Sequence, residues 1–276
     1  MFAGIETGGT KTVCAVGSDG RIEARAQFPT GTDPAALVVR CAEFFAQYQV
    51  TAAGLGTFGP CDTDPESPTY GQILATPKPG WPGADIRGLL EQSLNVPVSI
   101  TTDVGAAALG EAALGAGRGA RDVVYLTIGT GVGAGIVLDG RLSHGAQYAE
   151  LGHMLLPQFG PDGVCTYHGG CFEGLASGPA MNARLGFPAS ELPDDDPAWD
   201  FEAQVVAAGL HNIVCATVPE VLVIGGGVGS RAGLHSRLPR LLRTSLAGYL
   251  PVPDVRTPGL GADSGVVGAL LLAESS

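Results

Sequence analysis

The chain has 276 residues, room for one large domain or two of ordinary size. Hydrophobic residues make up 45% and charged ones 15%, a balance that argues against intrinsic disorder. Fifteen basic against 27 acidic residues give a formal charge of −12, the wrong sign for tracking nucleic-acid phosphates or lying on an anionic membrane. No stretch approaches the ~20 apolar residues of a spanning helix. The opening MFAGIETGGTK lacks the basic-then-apolar order of a secretory signal. Six cysteines are too few for a disulfide scaffold of this size, so a reducing, cytoplasmic setting is expected. Cys14, Cys41, Cys61 and Cys215 read as buried thiols.

Strands are expected over residues 2–6, 11–16 and 21–28, the last two joined at Ser18-Asp19-Gly20. Asp33 as N-cap and Pro34 at the first helical position predict a helix to about Tyr48. A strand over 53–57, a long Pro/Asp/Ser/Thr loop to Pro82, a helix over 85–94, a strand over 98–102 and a helix over 104–114 follow. GAGRGAR at 115–121 reads as a linker. The second half restarts with a strand over 122–127, a glycine loop and a hairpin turning at Asp139-Gly140. Helices are expected over 172–185 (broken near Gly178-Pro179), 198–217, 231–249 and 264–273, with a strand over 221–224. PDDDP at 193–197 reads as a solvated loop. The strand, Gly/Thr loop, strand order at both starts reads as a weak internal duplication, and the alternation of strands and helices as an α/β class.

Three glycine loops invite a nucleotide reading. Gly4 to Thr12 nearly matches a P-loop, but one residue too many precedes Lys11, and a strand follows where a helix is required. Gly129-Thr130-Gly131 fits a relaxed dinucleotide pattern yet also runs into a hairpin. Gly225, Gly226 and Gly227 lie between strand and helix without the acidic partner a Rossmann site needs. The better reading is a pair of hairpin tips, Gly8-Gly9-Thr10 and Gly129-Thr130-Gly131, whose N–H and hydroxyl groups converge on an anion. For either alone, an ordinary glycine hairpin is the alternative. Lys11 is one of two lysines, with Lys78.

His153, Cys165, His168 and Cys171 place two thiols and two imidazoles within nineteen residues. Zinc takes four such ligands in a tetrahedron. The set leaves no open position, so structural Zn²⁺ is expected. Among the acids, Asp103 ends a strand and begins a helix, where a plain N-cap is the alternative. Glu150 precedes His153 by three residues and Glu173 follows Cys171 by two; cap or surface acids are the alternatives there.

GIETGGTK, TDVGAAALGE, LTIGTGVGAGI, ELGH and the CxxHxxC that leads into CFEGLASGPA together resemble the ROK family of sugar kinases. TFGPCDTD, SPTYG and ATPKPGW resemble its bacterial fructokinase branch. The resemblance runs from Gly4 to about Gly227. It implies an actin-like ATPase (ribonuclease H-like) fold, two α/β domains flanking a cleft. Residues 1–116 with a returning C-terminal helix 263–276 would form one domain and 117–262 the other. It also implies an ATP:hexose 6-phosphotransferase using Mg²⁺, with D-fructose the expected acceptor and glucokinase or broad manno/fructokinase activity the alternatives.

By position, Asp103 is then the catalytic base, and Gly59, Thr102, Asp103, Glu150, His153 and Glu173 bind substrate, His153 also as a zinc ligand. Gly8, Gly9, Thr10 and Lys11 with Gly129, Thr130 and Gly131 resemble the phosphate loops, Gly225, Gly226 and Gly227 the adenosine loop. Glu6 would contact magnesium-bound water. A homodimer is implied as well. There are two departures: Gly105 stands where the family often has Asn, and the stretch 186–197 looks trimmed. The rival class is a ROK sugar sensor, a repressor with a helix-turn-helix ahead of the sugar domain; with the first strand at Phe2, none is expected here.

Overall fold

The computed structural model describes residues 1–143 and 147–275. The chain opens with β1 (Phe2–Thr7), β2 (Lys11–Ser18) and β3 (Arg21–Pro29). The turn between β2 and β3 has Asp19 and Gly20 both at positive φ, 52° and 65°, the twist-matched two-residue turn that Asp-Gly favours. α1 (Pro34–Phe45) starts where expected, with the Asp33 carboxylate accepting from Ala35 N and Ala36 N at 3.0 and 3.2 Å. It ends three residues before Tyr48, whose N–H continues the last turn to the Phe45 carbonyl. β4 (Ala53–Thr57), α2 (Ile86–Leu94), β5 (Val98–Thr102) and α3 (Asp103–Ala113) follow. These strands make one sheet, order β3-β2-β1-β4-β5, in which β1, β4 and β5 are parallel.

β6 (Val123–Ile128) and β7 (Val132–Leu138) form an antiparallel pair, and a second Asp-Gly turn (Asp139 and Gly140, φ 51° and 72°) leads to β8 (Arg141–Leu142). Next come α4 (Phe172–Ala176), α5 (Gly178–Leu185), α6 (Ala198–Thr217) and β9 (Val221–Gly225). β9 lies parallel between β6 and a three-residue β10 (Asp254–Arg256). The order β7-β6-β9-β10 repeats β2-β1-β4-β5 in sequence and sense, so the duplication read from the glycine loops extends to the sheets. The single helix expected over 231–249 is instead α7 (Ala232–His235) and α8 (Leu238–Leu246), because Pro239 in the first turn of α8 has no N–H to continue a helix through. The acidic loop before α6 faces solvent yet is anchored: Arg231 Nε meets Asp194 Oδ1 at 3.0 Å and Arg237 Nη2 donates to the Asp196 carbonyl. Cys14, Cys41 and Cys61 are buried thiols in no disulfide, but Cys215 is exposed. It sits near the C-terminal end of α6, four residues after His211, whose Nε2 lies 3.5 Å from its Sγ.

The last helix is α9 (Ser264–Glu274). The chain forms two compact units: Met1–Gly115, Arg141–Tyr148 and Leu260–Ser276 in the first, Ala116–Gly140 and Ala149–Gly259 in the second. Arg141–Tyr148, expected with the second half, therefore belongs to the first unit. α9 is apolar on every side and buried accordingly, with Val266, Val267, Ala269 and Leu270 at 5% exposure or less. Its approach is set by glycines. A Cβ on Gly54 of β4 would lie 2.0 Å from the Ala269 carbonyl oxygen, and one on Gly268 would lie 1.7 Å from that of Ala106 in α3. Glu111, fully buried in α3, ties the start of α9 through Ser264 Oγ at 2.6 Å and the chain before it through Leu260 N at 2.9 Å. Among the described residues no helix is long and apolar enough to cross a membrane.

In a loosely packed helix, Gly268→Ala would raise stability by about 1 kcal/mol through helix propensity. With backbone in the way of the new methyl group, urea unfolding should instead show a loss of about 1–3 kcal/mol; a gain would contradict this packing.

Candidate active site

Register brings the candidate residues of the first unit to one edge. Thr7 pairs with Thr57 and Thr57 with Thr102, a row of buried threonines across β1, β4 and β5. Thr7 Oγ1 donates to Thr57 Oγ1 at 2.7 Å. Because the three strands are parallel, the residues just past the row leave the sheet at the same end. Those residues are Gly8, Phe58-Gly59 and Asp103. In open α/β sheets the carboxyl ends of parallel strands are where ligands bind.

After Thr7 the tip Gly8-Gly9-Thr10 is closed by Gly8 N donating to the Lys11 carbonyl at 2.9 Å, and Thr30 Oγ1 donates to the Gly8 carbonyl at 2.8 Å. Gly9, Thr10 and Lys11 are exposed. After Thr102 the chain turns into α3, with the Thr102 hydroxyl accepting from Gly105 N at 3.0 Å as its cap. Asp103 occupies the first turn, and its Oδ1 accepts from Val104 N at 2.8 Å. Gly105 has a local reason: a Cβ there would stand 2.6 Å from Thr101 Oγ1 and 3.0 Å from the capping hydroxyl of Thr102. Past Thr57, Gly59 faces Tyr148; a Cβ would lie 2.8 Å from the Tyr148 hydroxyl, which accepts from Cys61 N at 3.0 Å.

Glu6 lies one residue before the threonine row. Burial pushes its carboxyl up to about 7, with the Asp103 charge adding to the rise and Lys11 opposing it. Its Oε2 is buried with no hydrogen-bond partner among the described residues, and the start of α9 presses on the side chain, a Cβ on Gly265 falling 2.5 Å from its Cδ. An unsatisfied buried carboxylate oxygen fits a cation or a cation-bound water.

In the second unit, Gly129 N donates to the Gly131 carbonyl at 2.9 Å and the Gly129 carbonyl accepts from Gly178 N at 2.7 Å. Glu173, in the first turn of α4, lies against this loop and accepts from Val132 N at 3.1 Å through Oε2. Gly226 packs on the end of β6 at φ 88°, with Val228 N and Gly229 N both donating to the Ile128 carbonyl, so the second and third glycine loops are neighbours. Glu150 is exposed and precedes a short 3₁₀ turn, Leu151–His153. His153, Cys165, His168 and Cys171 gather their ligand atoms within 4.8 Å of one another. Cys165 Sγ is 3.9 Å from both His153 Nδ1 and His168 Nδ1, and Cys171 Sγ is 3.8 Å from His153 Nδ1. A tetrahedral zinc needs ligand separations of about 3.4–3.8 Å, so the donor types suit such an ion and the wider pairs would draw in by up to about 1 Å on binding it. Tyr148 and Lys78, whose Nζ donates to the Gly9 carbonyl at 2.5 Å, also belong to the first unit's edge. Spacing could not find them, since their partners lie 87 and 69 residues away.

The ROK family pattern matches residues 2–276. The chain belongs to the ROK family. A fructokinase of Pediococcus pentosaceus is 39% identical to this ROK protein, over 100% of this chain and 98% of the relative. Among solved structures, a ROK hexokinase from Thermus thermophilus superposes with a TM-score of 0.84 at 34% identity, covering 99% of this chain and 98% of that one. A ROK family glucokinase from Streptomyces griseus, in complex with glucose and AMPPNP, does so at 0.79 and 27%, covering 100% and 99%. The fold of this ROK protein is the expected one, the actin-like ATPase fold of ROK sugar kinases.

Glu6 also sets a pH dependence. Its folded-state value lies above its unfolded one of 4.5, so between pH 4.5 and about 7 the unfolded chain binds fewer protons and stability falls as pH rises. Relative to wild type, Glu6→Gln should be increasingly stable from pH 5 to pH 8, by an amount on the order of 3 kcal/mol in denaturant titrations. A pH-independent difference would contradict the burial assigned to this carboxyl.

Proposed function

We propose that this chain transfers the γ-phosphoryl group of ATP to the primary hydroxyl of D-fructose, giving D-fructose 6-phosphate. The observation that carries it is the carboxyl end of the parallel strands β1, β4 and β5, where the Gly8-Gly9-Thr10 hairpin and the carboxylate of Asp103 leave the sheet at the same end, two strands apart. The fructokinase relative supplies the acceptor.

Phosphoryl transfer passes through a loose transition state, so positioning and charge stabilisation do most of the catalysis. The N–H groups and Thr10 hydroxyl of the first hairpin would bind phosphate oxygens, as would the Gly129, Thr130 and Gly131 loop in its own unit, with Gly225, Gly226 and Gly227 lying along the adenosine. Asp103 would accept a hydrogen bond from the sugar hydroxyl, orient it and take its proton. Gly59, Thr102, Glu150, His153 and Glu173 would contact the sugar. Mg²⁺, when bound, supplies charge neutralisation, and Glu6 would hold its water. His153, Cys165, His168 and Cys171 would hold a structural Zn²⁺ that fixes a loop rich in glycine. A broader hexose range is the second reading, favoured by Gly105, which offers the sugar no side-chain hydrogen bond.

A coupled ADP assay over fructose, mannose, glucose and N-acetylated hexoses tests this. Fructose should stimulate turnover most; sugar-independent ATP hydrolysis would overturn the reading. General-base assistance is worth about 10²–10⁴-fold, so Asp103→Asn should lower kcat by roughly 10²-fold or more with hexose affinity little changed, and near-normal turnover would reject its role. Purified protein should carry one zinc per chain, absent from Cys165→Ser. Equal metal content in both would reject the site.

A further inference from the structure

Both lysines of this acidic chain meet at one hairpin. Lys11 follows the tip directly, whereas Lys78 arrives from the long loop after β4. Its Nζ donates to the Gly9 carbonyl at 2.5 Å and lies 5.8 Å from the centroid of the Phe58 ring. The arm that delivers it is stiff. Pro77 and Pro79 flank Lys78 with fixed φ, and Gly80 at φ 80° lets the backbone pass so close to Thr32 that a Cβ would lie 1.9 Å from its carbonyl oxygen. Trp81 is fully buried, edge-on to Phe58 at 4.9 Å between centroids, with Nε1 donating to the Gly31 carbonyl at 3.1 Å. This is far more fixation than a solvated surface lysine receives. An ammonium has three N–H donors, so one can remain on Gly9 while the others serve a second acceptor at the exposed tip.

We propose that Lys78 is a phosphate-contacting residue, its ammonium braced on the Gly9 carbonyl and directed at the terminal phosphate of a nucleoside triphosphate held by the Gly8-Gly9-Thr10 tip. This rests on the phosphotransfer reading above. A compact ammonium beside the transferred group stabilises the charge on its equatorial oxygens.

The full-length wild type, Lys78→Met and Lys78→Arg would be compared in fructose-dependent turnover and in equilibrium binding of ADP and AMPPNP. Losing one such donor costs about 10²–10³-fold in turnover, and this is expected for kcat in Lys78→Met, with partial recovery in Lys78→Arg. Affinity for AMPPNP should fall by about 10-fold or more, while ADP affinity and thermal midpoint stay near wild type. Equal losses for ADP and AMPPNP would show a brace for the hairpin only and overturn the proposal, as would wild-type turnover. A wild type inactive on fructose would count against the phosphotransfer reading, and the ADP–AMPPNP comparison would still decide Lys78.

Discussion

Three parallel strands held in one register govern the first unit. Thr7, Thr57 and Thr102 stand abreast, and each hands the chain to a segment with chemistry in it: the glycine hairpin, the Gly59 turn and the Asp103 helix start. A one-residue slip of β5 against β4 would turn its side chains to the opposite face and carry Asp103 out of line with Gly8. The hydroxyl contact between Thr7 and Thr57 is modest in energy, on the order of 1 kcal/mol, so it specifies the arrangement more than it stabilises it.

The stabilising contribution comes from the chain's far end. α9 packs on β1, β4 and α3 at distances only glycine permits, and Glu111 secures its start with two hydrogen bonds. The same helix presses on Glu6, so the seat that fixes the strands also buries the carboxyl beside the hairpin. In the second unit the glycine loops, Glu173 and the Cys/His cluster follow a sheet of the same order, without a counterpart to Asp103 at the end of β10, a strand that stops at Arg256. The same strand order therefore carries different residues at its ends in the two units.

Much of this was legible in the sequence because the signals are local. Asp-Gly turns, the Asp33-Pro34 helix start and the Cys165–His168–Cys171 spacing each act over a few residues; the first two occur as read, and the third gathers with His153 within 4.8 Å. Contacts distant in sequence were not legible. Tyr148 on Gly59 and Lys78 on Gly9 join separate segments, and no periodicity announces them. β10 was missed because three residues with charged ends carry too little pattern, and Cys215 was misread because an apolar helix still has an outer face. Gly105, a departure from the family when read alone, became intelligible only beside the two threonine hydroxyls that crowd it.

The most direct test of this account is a crystal structure of the protein with fructose and AMPPNP bound together. It predicts the primary hydroxyl of the sugar within hydrogen-bond distance of the Asp103 carboxylate and the terminal phosphate on the N–H groups of the Gly8-Gly9-Thr10 tip. A sugar hydroxyl or terminal phosphate seated away from the edge that Thr7, Thr57 and Thr102 define would contradict it.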